Sequence, residues 1–330
     1  MDLQIQQFLN KLTKFCFNPI YITDKEQLSI QIYHLLTPEW FRFGPIDRQT
    51  EDSLRKMISS FVKENKPIRL LNACGGFKNY RIDSAPHIDW AEIFHLSFIS
   101  NTLLRICEIY EPGINLEYSG DAHMSCIVDN IKREYVDTYL KEFDLAIDQF
   151  DFITPKNFRI THKHFLDFYD YDDMKIKINE LGDKENLLGS KNHESIEKNY
   201  LRAVQNFCFD GEENLTSLSD FEKEELIKRS ILKAYIWYEI DFEKRGDYFA
   251  SFISICNLKD FPETYCVRSI RHLPCPPFWQ GKGIIEMIGG EPHSVILHNR
   301  KYLEDSNKLS NHKVIPPIKL DTLSNIGVKE

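Results

Sequence analysis

The sequence predicts an α/β fold: a Rossmann-like mixed or mostly parallel sheet flanked by helices, with a helical insertion and a C-terminal β-hairpin. Two short apolar runs, residues 67–74 and 114–118, lead into glycine-containing turns, as buried strands do. A helical stripe follows each run, and alternation of strand and helix favours parallel pairing. The chain has 330 residues, of which 42% are hydrophobic, enough for one large core.

The first half of the chain supplies the predicted elements in order. Residues 1–65 carry apolar side chains at helical spacing around a proline-rich break, which predicts a helical N-terminal lead-in. An α/β catalytic domain is expected over residues 66–300. A long helix should begin after Asp89, and a second helix should cover about residues 130–148. Ligands are expected at the carboxyl ends of the strands.

The second half is predicted to add an insertion, a hairpin and a tail. Residues from about 160 to 245 are rich in Lys, Glu and Asp at helical spacing, which predicts a helical insertion. β-rich runs follow at residues 265–273, 283–288 and 294–299. The glycine pair between the last two runs predicts a hairpin that extends the sheet. Residues 301–330 are expected to form a polar C-terminal tail.

Composition and charge narrow the functional classes. The formal charge of −9 argues against binding to phosphate backbones, so no nucleic-acid partner is expected. Residues 1–17 lack a basic start followed by an apolar stretch, and no apolar run reaches roughly 18 residues, so neither secretion nor a membrane span is expected. The 8 cysteines form no Cys-x-x-Cys pair and indicate reduced thiols. These features favour a cytoplasmic enzyme acting on small molecules.

Side chains near the two predicted strand ends are candidates for catalysis. Lys78 follows a glycine pair, where its amine can reach a carbonyl or a phosphate, or can be a solvated loop lysine. Asp89 and Glu92 fit an acid and base pair, and they equally fit a capping box that opens a helix. Asp121 follows the second strand, where it either faces the ligand edge or accepts a backbone N–H in a turn.

A positively charged cluster occurs near the C-terminus. Arg268, Arg271, His272 and Lys282 fall on β-like segments, and a regular strand would place Arg268 and His272 on one face. Such a cluster suits a phosphate or a carboxylate. A surface strand with ordinary salt bridges has the same composition, so both interpretations stay open.

Short histidine patterns raise the alternative of a metal site. His87-Ile-Asp89 matches the first two ligands of a 2-His-1-carboxylate iron site, with His293 or His298 as the distant third. His162-Lys-His164 and His123-x-x-Cys126 are less complete patterns of the same kind. The glycine-rich dinucleotide, NTPase and hydrolase motifs are absent from the sequence. No metal is assigned from these patterns.

Three paired motifs follow one another in a characteristic order. They are Gly76-Phe-Lys78-Asn79 with Pro86-His-Ile-Asp89-Trp-Ala-Glu92, Ile109-Tyr-Glu-Pro-Gly113 with Leu116-Glu-Tyr-Ser119-Gly-Asp121, and Arg268-Ser-Ile-Arg271-His272 with Glu291-Pro-His293. Over roughly residues 61–299 this order resembles the isocyanide (isonitrile) synthase family, which includes pyoverdine- and dityrosine-pathway proteins. The chain departs from the family pattern in having Gly-Gly-Phe-Lys for Phe-Pro-x-Lys, Ser-Gly-Asp for Ser-Asp-Gly, and no tryptophan before His293.

The resemblance implies a reaction between an amino acid and a sugar phosphate. The α-amine would condense with the C2 carbonyl of ribulose 5-phosphate, and carbon–carbon cleavage would leave an isonitrile, with no cofactor. Lys78 and Arg271 would hold the phosphate or polarise the carbonyl, Glu92 and Asp121 would move protons, and His272 and His293 would be further proton carriers. The other implied substrate contacts are Asn79, Asp89, Ser119, Arg268 and Lys282.

Two other functions stay open beside this reaction. One is an iron/2-oxoglutarate-type oxygenase that uses His87, Asp89 and a distal His. The other is a non-catalytic small-molecule binding protein on the same fold, which the altered motifs permit.

Overall fold

The computed structural model describes residues 3–74, 77–78, 84–128, 131–184, 219–255, 264–271 and 277–298. The helices in these residues are α1 (Leu3–Thr13), α2 (Lys25–Leu36), α3 (Arg48–Glu64), α4 (Trp90–Ile109), α5 (Ala122–Val128), α6 (Arg133–Ile153), α7 (Tyr171–Lys184) and α8 (Asp220–Phe249). The strands are β1 (Ile68–Cys74), β2 (Ile114–Gly120), β3 (Phe158–Lys163), β4 (Ile253–Ser254), β5 (Gly281–Ile288) and β6 (Glu291–His298).

The central sheet has the strand order β3-β2-β1-β4, and its strands pair in parallel. Cys74 at the end of β1 lies opposite Gly120 at the end of β2, and Ser119 lies opposite Lys163 at the end of β3. The predicted α/β fold is confirmed. Because parallel strands run in one direction, the segments that follow β1, β2 and β3 meet at one edge of the sheet.

Helices cover both faces of this sheet. Leu70 and Leu71 are adjacent in β1, and both are fully buried although successive strand side chains point to opposite faces. α6 buries the predicted apolar face that includes Tyr139, Phe143 and Ile147. This helix begins three residues later than the sequence predicts and continues to Ile153. The added turns bury Phe150, which lengthens the contact with the sheet.

The C-terminal hairpin is confirmed, but it does not extend the central sheet. β5 and β6 pair antiparallel in a separate two-stranded sheet, with Ile288 opposite Glu291 across a glycine pair. Both turn glycines have positive φ, 60° and 88°, a region that favours glycine. A Cβ at Gly283 would come within 2.1 Å of the Ala91 backbone nitrogen, so β5 lies directly against the start of α4. This close approach places the hairpin beside a helix terminus.

The N-terminal helices and the middle of the chain also join packed cores. Leu28 of α2 and Ile58 of α3 belong to the same core as the sheet. The boundary predicted at about residue 160 lies inside β3, so the middle region contributes a strand as well as helices. α7 and α8 form a smaller core around Phe165 and Trp237. The predicted tail at residues 301–330 lies outside the described residues.

Two further sequence predictions concern membrane-spanning helices and cysteines. No helix among the described residues is both long and apolar enough to cross a membrane. Cys107 and Cys126 are buried and form no disulfide, and Cys266 and Cys16 form none either and are more exposed. Burial raises the pKa of Cys107 to about 12, so this thiol stays protonated and acts as an apolar core group.

Candidate active site

A buried ionic cluster lies between the segment that follows β1 and the start of α4. The Lys78 ammonium is 3.0 Å from Asp89 Oδ1 and 2.9 Å from each Glu92 carboxylate oxygen. The side chains of Lys78 and Glu92 are fully buried, and that of Asp89 is 4% exposed. The sequence predicted each of these residues as a candidate, and the structure brings them together.

The start of α4 explains why the two carboxylates point inward. Asp89 accepts a hydrogen bond from the Ala91 N–H at 2.7 Å, and Glu92 accepts one from the Asp89 N–H at 2.8 Å. The second contact, together with a bond from the Glu92 backbone N–H to the Asp89 side chain, forms the predicted capping box, so the same side chains can serve capping and chemistry. The Gly283 N–H donates to Asp89 Oδ1 at 3.2 Å, which ties the hairpin to the cluster.

Burial and charge determine the protonation of the cluster. Burial raises the pKa of Glu92, Lys78 lowers it and Asp89 raises it again, giving a net value of about 7. Burial alone would lower the pKa of Lys78, but Asp89 and Glu92 outweigh it and the pKa lies above its ordinary value. The lysine is therefore charged near neutral pH, while Glu92 exchanges a proton there.

Groups from α6 and from the segment before β5 provide further hydrogen-bond partners for the cluster. Tyr139 donates its hydroxyl proton to Glu92 Oε1 at 3.2 Å, and Lys78 donates to the Phe278 carbonyl oxygen at 3.3 Å. Tyr135 donates to the Lys78 carbonyl oxygen at 2.7 Å. A lysine with these partners has its donors directed at the protein, an arrangement that favours control of Glu92 over direct capture of a phosphate.

A buried histidine near this cluster was not a candidate from the sequence. His95 of α4 stacks on Phe278 with ring centroids 4.2 Å apart. Asn72 Nδ2 lies 3.1 Å from Nε2, and the Ser269 carbonyl oxygen lies 3.1 Å from Nδ1. Since a carbonyl only accepts, the proton is on Nδ1. Burial lowers the pKa of His95 to about 3, so the ring is neutral.

A second ionic cluster forms around Arg245 of α8, at the end of β2. The Arg245 guanidinium is 1% exposed and lies 2.6 Å from Asp121 Oδ1. It also pairs with both oxygens of Asp241 and lies 3.5 Å from the Ser119 hydroxyl. Tyr169 donates to Asp241 at 2.6 Å. Asp121 and Ser119, both predicted from the sequence, thus share one arginine that the sequence did not single out.

The remaining predicted residues lie elsewhere. Arg268 donates to the Arg42 carbonyl oxygen at 2.9 Å, and the Arg271 guanidinium lies 5.5 Å from the Trp40 ring centroid. Lys282 is buried in β5, and His293 lies in β6 opposite Glu286. Asn79 and His272 lie outside the described residues.

Residues 264–271 do not form the regular strand that would place Arg268 and His272 on one face, and His272 lies outside the described residues. These residues make only isolated bridges, Thr264 to Ser254 and Val267 to Arg42. The strand pattern is lost because the backbone alternates between partners from the sheet and from the N-terminal region. Arg268 and Arg271 therefore approach the segment around Trp40.

The predicted iron ligands do not converge in the described residues. His87 Nδ1 contacts Glu142 Oε1 at 2.6 Å, while Asp89 is engaged by Lys78 and the α4 terminus. Over those same residues, the group that places ligand atoms within 4.8 Å of one another is Asp144, His162 and His164. His162 and His164, a less complete pattern in the sequence, thus share one carboxylate, that of Asp144.

Comparisons with known proteins add evidence at the level of the fold. No model of a known protein family matches the sequence, and no curated protein matches it. Among solved structures, the chain is similar to the PvcA protein from Pseudomonas aeruginosa, with a TM-score of 0.58 and 16% sequence identity. The match covers 84% of this chain and 94% of that chain. The two chains share a fold.

The PvcA-like fold places both ionic clusters where α/β proteins bind ligands. Lys78 follows β1 and Asp121 follows β2, at the carboxyl edge of the parallel sheet. The first cluster supplies a proton donor and acceptor of near-neutral pKa in Glu92. The second supplies a fixed positive charge in Arg245 whose neighbours are two carboxylates and a hydroxyl. The first cluster thus offers an acid–base group, and the second offers a fixed charge.

Proposed function

We propose that this chain is an isonitrile synthase-like enzyme that condenses an amino-acid α-amine with the C2 carbonyl of ribulose 5-phosphate. The motif order that resembles the isocyanide synthase family supports the proposal, and the fold shared with PvcA supports it independently of those motifs. The observation that carries most weight is the buried Glu92 beside Lys78, because imine formation needs proton transfer near neutral pH.

The condensation requires a group that gives and takes protons. The amine nitrogen attacks the carbonyl carbon, a C–N bond forms, and the former carbonyl oxygen leaves as water after it has been protonated. Glu92 in its protonated form is suited to donate to that oxygen, and its carboxylate then accepts the proton that the nitrogen loses. The C1–C2 and C2–C3 bonds then break and leave C2 as the isonitrile carbon. C1 leaves as formaldehyde, and C3–C5 leave as hydroxyacetone and inorganic phosphate, so the atoms balance without an external oxidant or reductant.

The roles proposed for the charged residues follow from their surroundings. Lys78 is proposed to position Glu92 and to stabilise its carboxylate form, because its ammonium already faces two carboxylates. Asp121 is a proton carrier held in place by Arg245. Arg271 is exposed beside Trp40 and is proposed to take the phosphate group. His293 stays a further candidate for proton transfer.

The test is mass spectrometry of the purified, chelator-treated chain incubated with ribulose 5-phosphate and the twenty amino acids. An isonitrile product is expected, and its mass identifies the amino acid. Glu92→Gln should lower turnover by about 100-fold or more, the usual effect of removing an acid–base group. Glutamine is compatible with a capping box, so this variant keeps the helix start and removes the titrating group.

Glu142→Gln is the matched control. Glu142 lies on α6, pairs with exposed His87, and is a carboxylate outside the buried cluster. Its replacement should leave turnover within about twofold of the unmodified chain. Absence of any isonitrile from a folded chain would contradict the proposed reaction, and equal turnover in both variants would remove Glu92 from it.

A further inference from the structure

Three potential metal ligands meet at the carboxyl end of the edge strand β3. His162 Nδ1 lies 2.7 Å from Asp144 Oδ1, and His164 Nε2 lies 3.0 Å from Asp144 Oδ2. The two imidazole rings are 4.2 Å apart between centroids. His162 is the last residue but one of β3, His164 directly follows the strand, and Asp144 comes from α6. Two distant parts of the sequence therefore build one cluster.

The ligand types and their separations suit a borderline divalent metal. One ligand atom from each of the three residues lies within 4.8 Å of the others. Ligand atoms about 2.1 Å from a tetrahedral zinc ion are roughly 3.4 Å apart. Side-chain shifts of up to about 1.5 Å would bring separations of at most 4.8 Å to that spacing. Two imidazoles and one carboxylate are a ligand set used by zinc and by non-haem iron.

The state of the histidine rings is compatible with coordination. His162 is 3% exposed, and its Nε2 has no hydrogen-bond partner among the described residues. Its ring can therefore carry the proton on Nε2 and present Nδ1 to a cation without breaking a hydrogen bond at Nε2.

The cluster borders an open cleft of about 410 Å³. Asp144 and His164 line this cleft together with Lys141 and the pair formed by His123 Nε2 and Asp137 Oδ1, which are 2.8 Å apart. An ion held by three protein ligands at this position would keep its remaining coordination sites toward the cleft. Water or a small anionic ligand can reach such a site, and the Lys141 ammonium adds attraction for an anion.

We propose that Asp144, His162 and His164 bind one divalent first-row transition-metal ion of the Zn²⁺ type, with an open coordination position facing the cleft. The site is separate from the Lys78, Asp89 and Glu92 cluster, and the inference does not depend on the proposed isonitrile reaction. It also differs from the alternative iron site at His87 and Asp89 that the sequence left open. Those two side chains are engaged by Glu142 and Lys78.

The test uses the full chain after chelator treatment and dialysis, titrated with Co²⁺ and followed by visible absorption. Saturable binding of one equivalent is expected, with displacement by Zn²⁺. Asp144→Asn and His164→Ala should each weaken Co²⁺ binding by at least about 10–100-fold, since changes to outer-shell partners alone can do so. The side chains of Asp144 and His164 are 37% and 25% exposed, so both variants should fold.

His34→Ala is the matched control, because His34 is an exposed histidine on α2 outside the cluster. It should keep full Co²⁺ affinity, and circular dichroism of the metal-free variants should match that of the unmodified chain. Zn²⁺ should raise the melting temperature of the unmodified chain and of His34→Ala, and not that of His164→Ala. The proposal would be overturned if the unmodified chain showed no saturable Co²⁺ binding. It would also be overturned if folded Asp144→Asn and His164→Ala bound Co²⁺ as tightly as the unmodified chain.

Discussion

Two carboxylates near the same sheet edge have opposite protonation behaviour. Glu92 is fully buried beside Lys78, and its pKa rises to about 7 chiefly because burial penalises its charged form. Asp144 is 37% exposed, and burial likewise opposes its charge, but hydrogen bonds from His162 and His164 lower its pKa to about 2. The buried cluster of Lys78, Asp89 and Glu92 (the closed cluster) thus holds a proton that can be transferred. The cluster of Asp144, His162 and His164 (the open cluster) instead presents a carboxylate that stays charged near neutral pH to the cleft.

This difference shows how burial decides the use of similar residues. In the closed cluster, one ammonium faces two carboxylates, so the group carries an excess negative charge that a shared proton can remove. In the open cluster, one carboxylate faces two imidazoles, so nitrogen atoms that can bind a metal outnumber carboxylates. The first composition suits acid–base chemistry, and the second suits a cation.

The largest expected effect comes from removing the lysine of the closed cluster. Lys78→Met leaves Asp89 and Glu92 buried without their shared ammonium, and it should lower the free energy of unfolding by about 3–5 kcal/mol. Urea unfolding at neutral pH, followed by circular dichroism, measures this change. Lys141→Met in the open cleft is the comparison, and it should change the free energy by less than about 0.5 kcal/mol because Lys141 is exposed.

Similar losses in the two lysine variants would contradict the distinction between a closed and an open cluster. If Lys78→Met lowered the free energy of unfolding only slightly, the two carboxylates would have become protonated or hydrated at little cost. A double variant with Glu92→Gln separates these cases. It should recover part of the loss, because one of the two buried charges is then absent.

The pH dependence of stability should show the raised pKa of Glu92. The folded chain holds this proton up to a pKa of about 7, whereas the ordinary value is 4.5, so the folded state binds more protons between these values. The contribution is fully present below about pH 4.5 and is lost as pH rises through about 7. Its size is on the order of 1–3 kcal/mol.

The measurement compares urea unfolding of the unmodified chain and Glu92→Gln from pH 4.5 to pH 8. Other carboxylates contribute slopes that both proteins share, so the difference between the two isolates Glu92. The stability of the unmodified chain relative to the variant should fall as pH rises. A constant difference would mean that Glu92 has the same pKa in the folded and unfolded states.

The sequence was informative where local pattern and long-range structure agree. The apolar runs predicted β1 and β2, the Asp89 and Glu92 spacing predicted the capping box, and the glycine pair predicted the β5–β6 turn. Each of these patterns depends on only a few residues that are neighbours in the sequence. Lys78 was predicted as functional by its place after a strand, but its pairing with both carboxylates depends on the fold bringing the segments together.

Arg245 and the Asp144 cluster show what local patterns could not supply. Arg245 lies at the end of the region that the sequence predicted as a helical insertion rich in charged residues, and it was not a candidate. Its i, i+4 spacing from Asp241 and the nearby Phe249 were available signals. Asp144 is 18 positions from His162, and their contact arises from the packing of α6 on β3. The short β3 was hidden within a region of helical spacing.

The smallest expected effect is that of His87→Ala on stability. This variant also distinguishes the two possible metal sites, one at His87 and Asp89 and the other at Asp144, His162 and His164. His87→Ala removes an exposed pair with Glu142, and such pairs contribute about 1 kcal/mol or less to stability. Glu142 still accepts the Ile88 N–H at 3.0 Å, so the turn before α4 is kept. Co²⁺ titration of His87→Ala should give the affinity of the unmodified chain. A lost Co²⁺ signal would instead place a metal at His87 and Asp89, and it would require Asp89 to leave Lys78 in the metal-bound state.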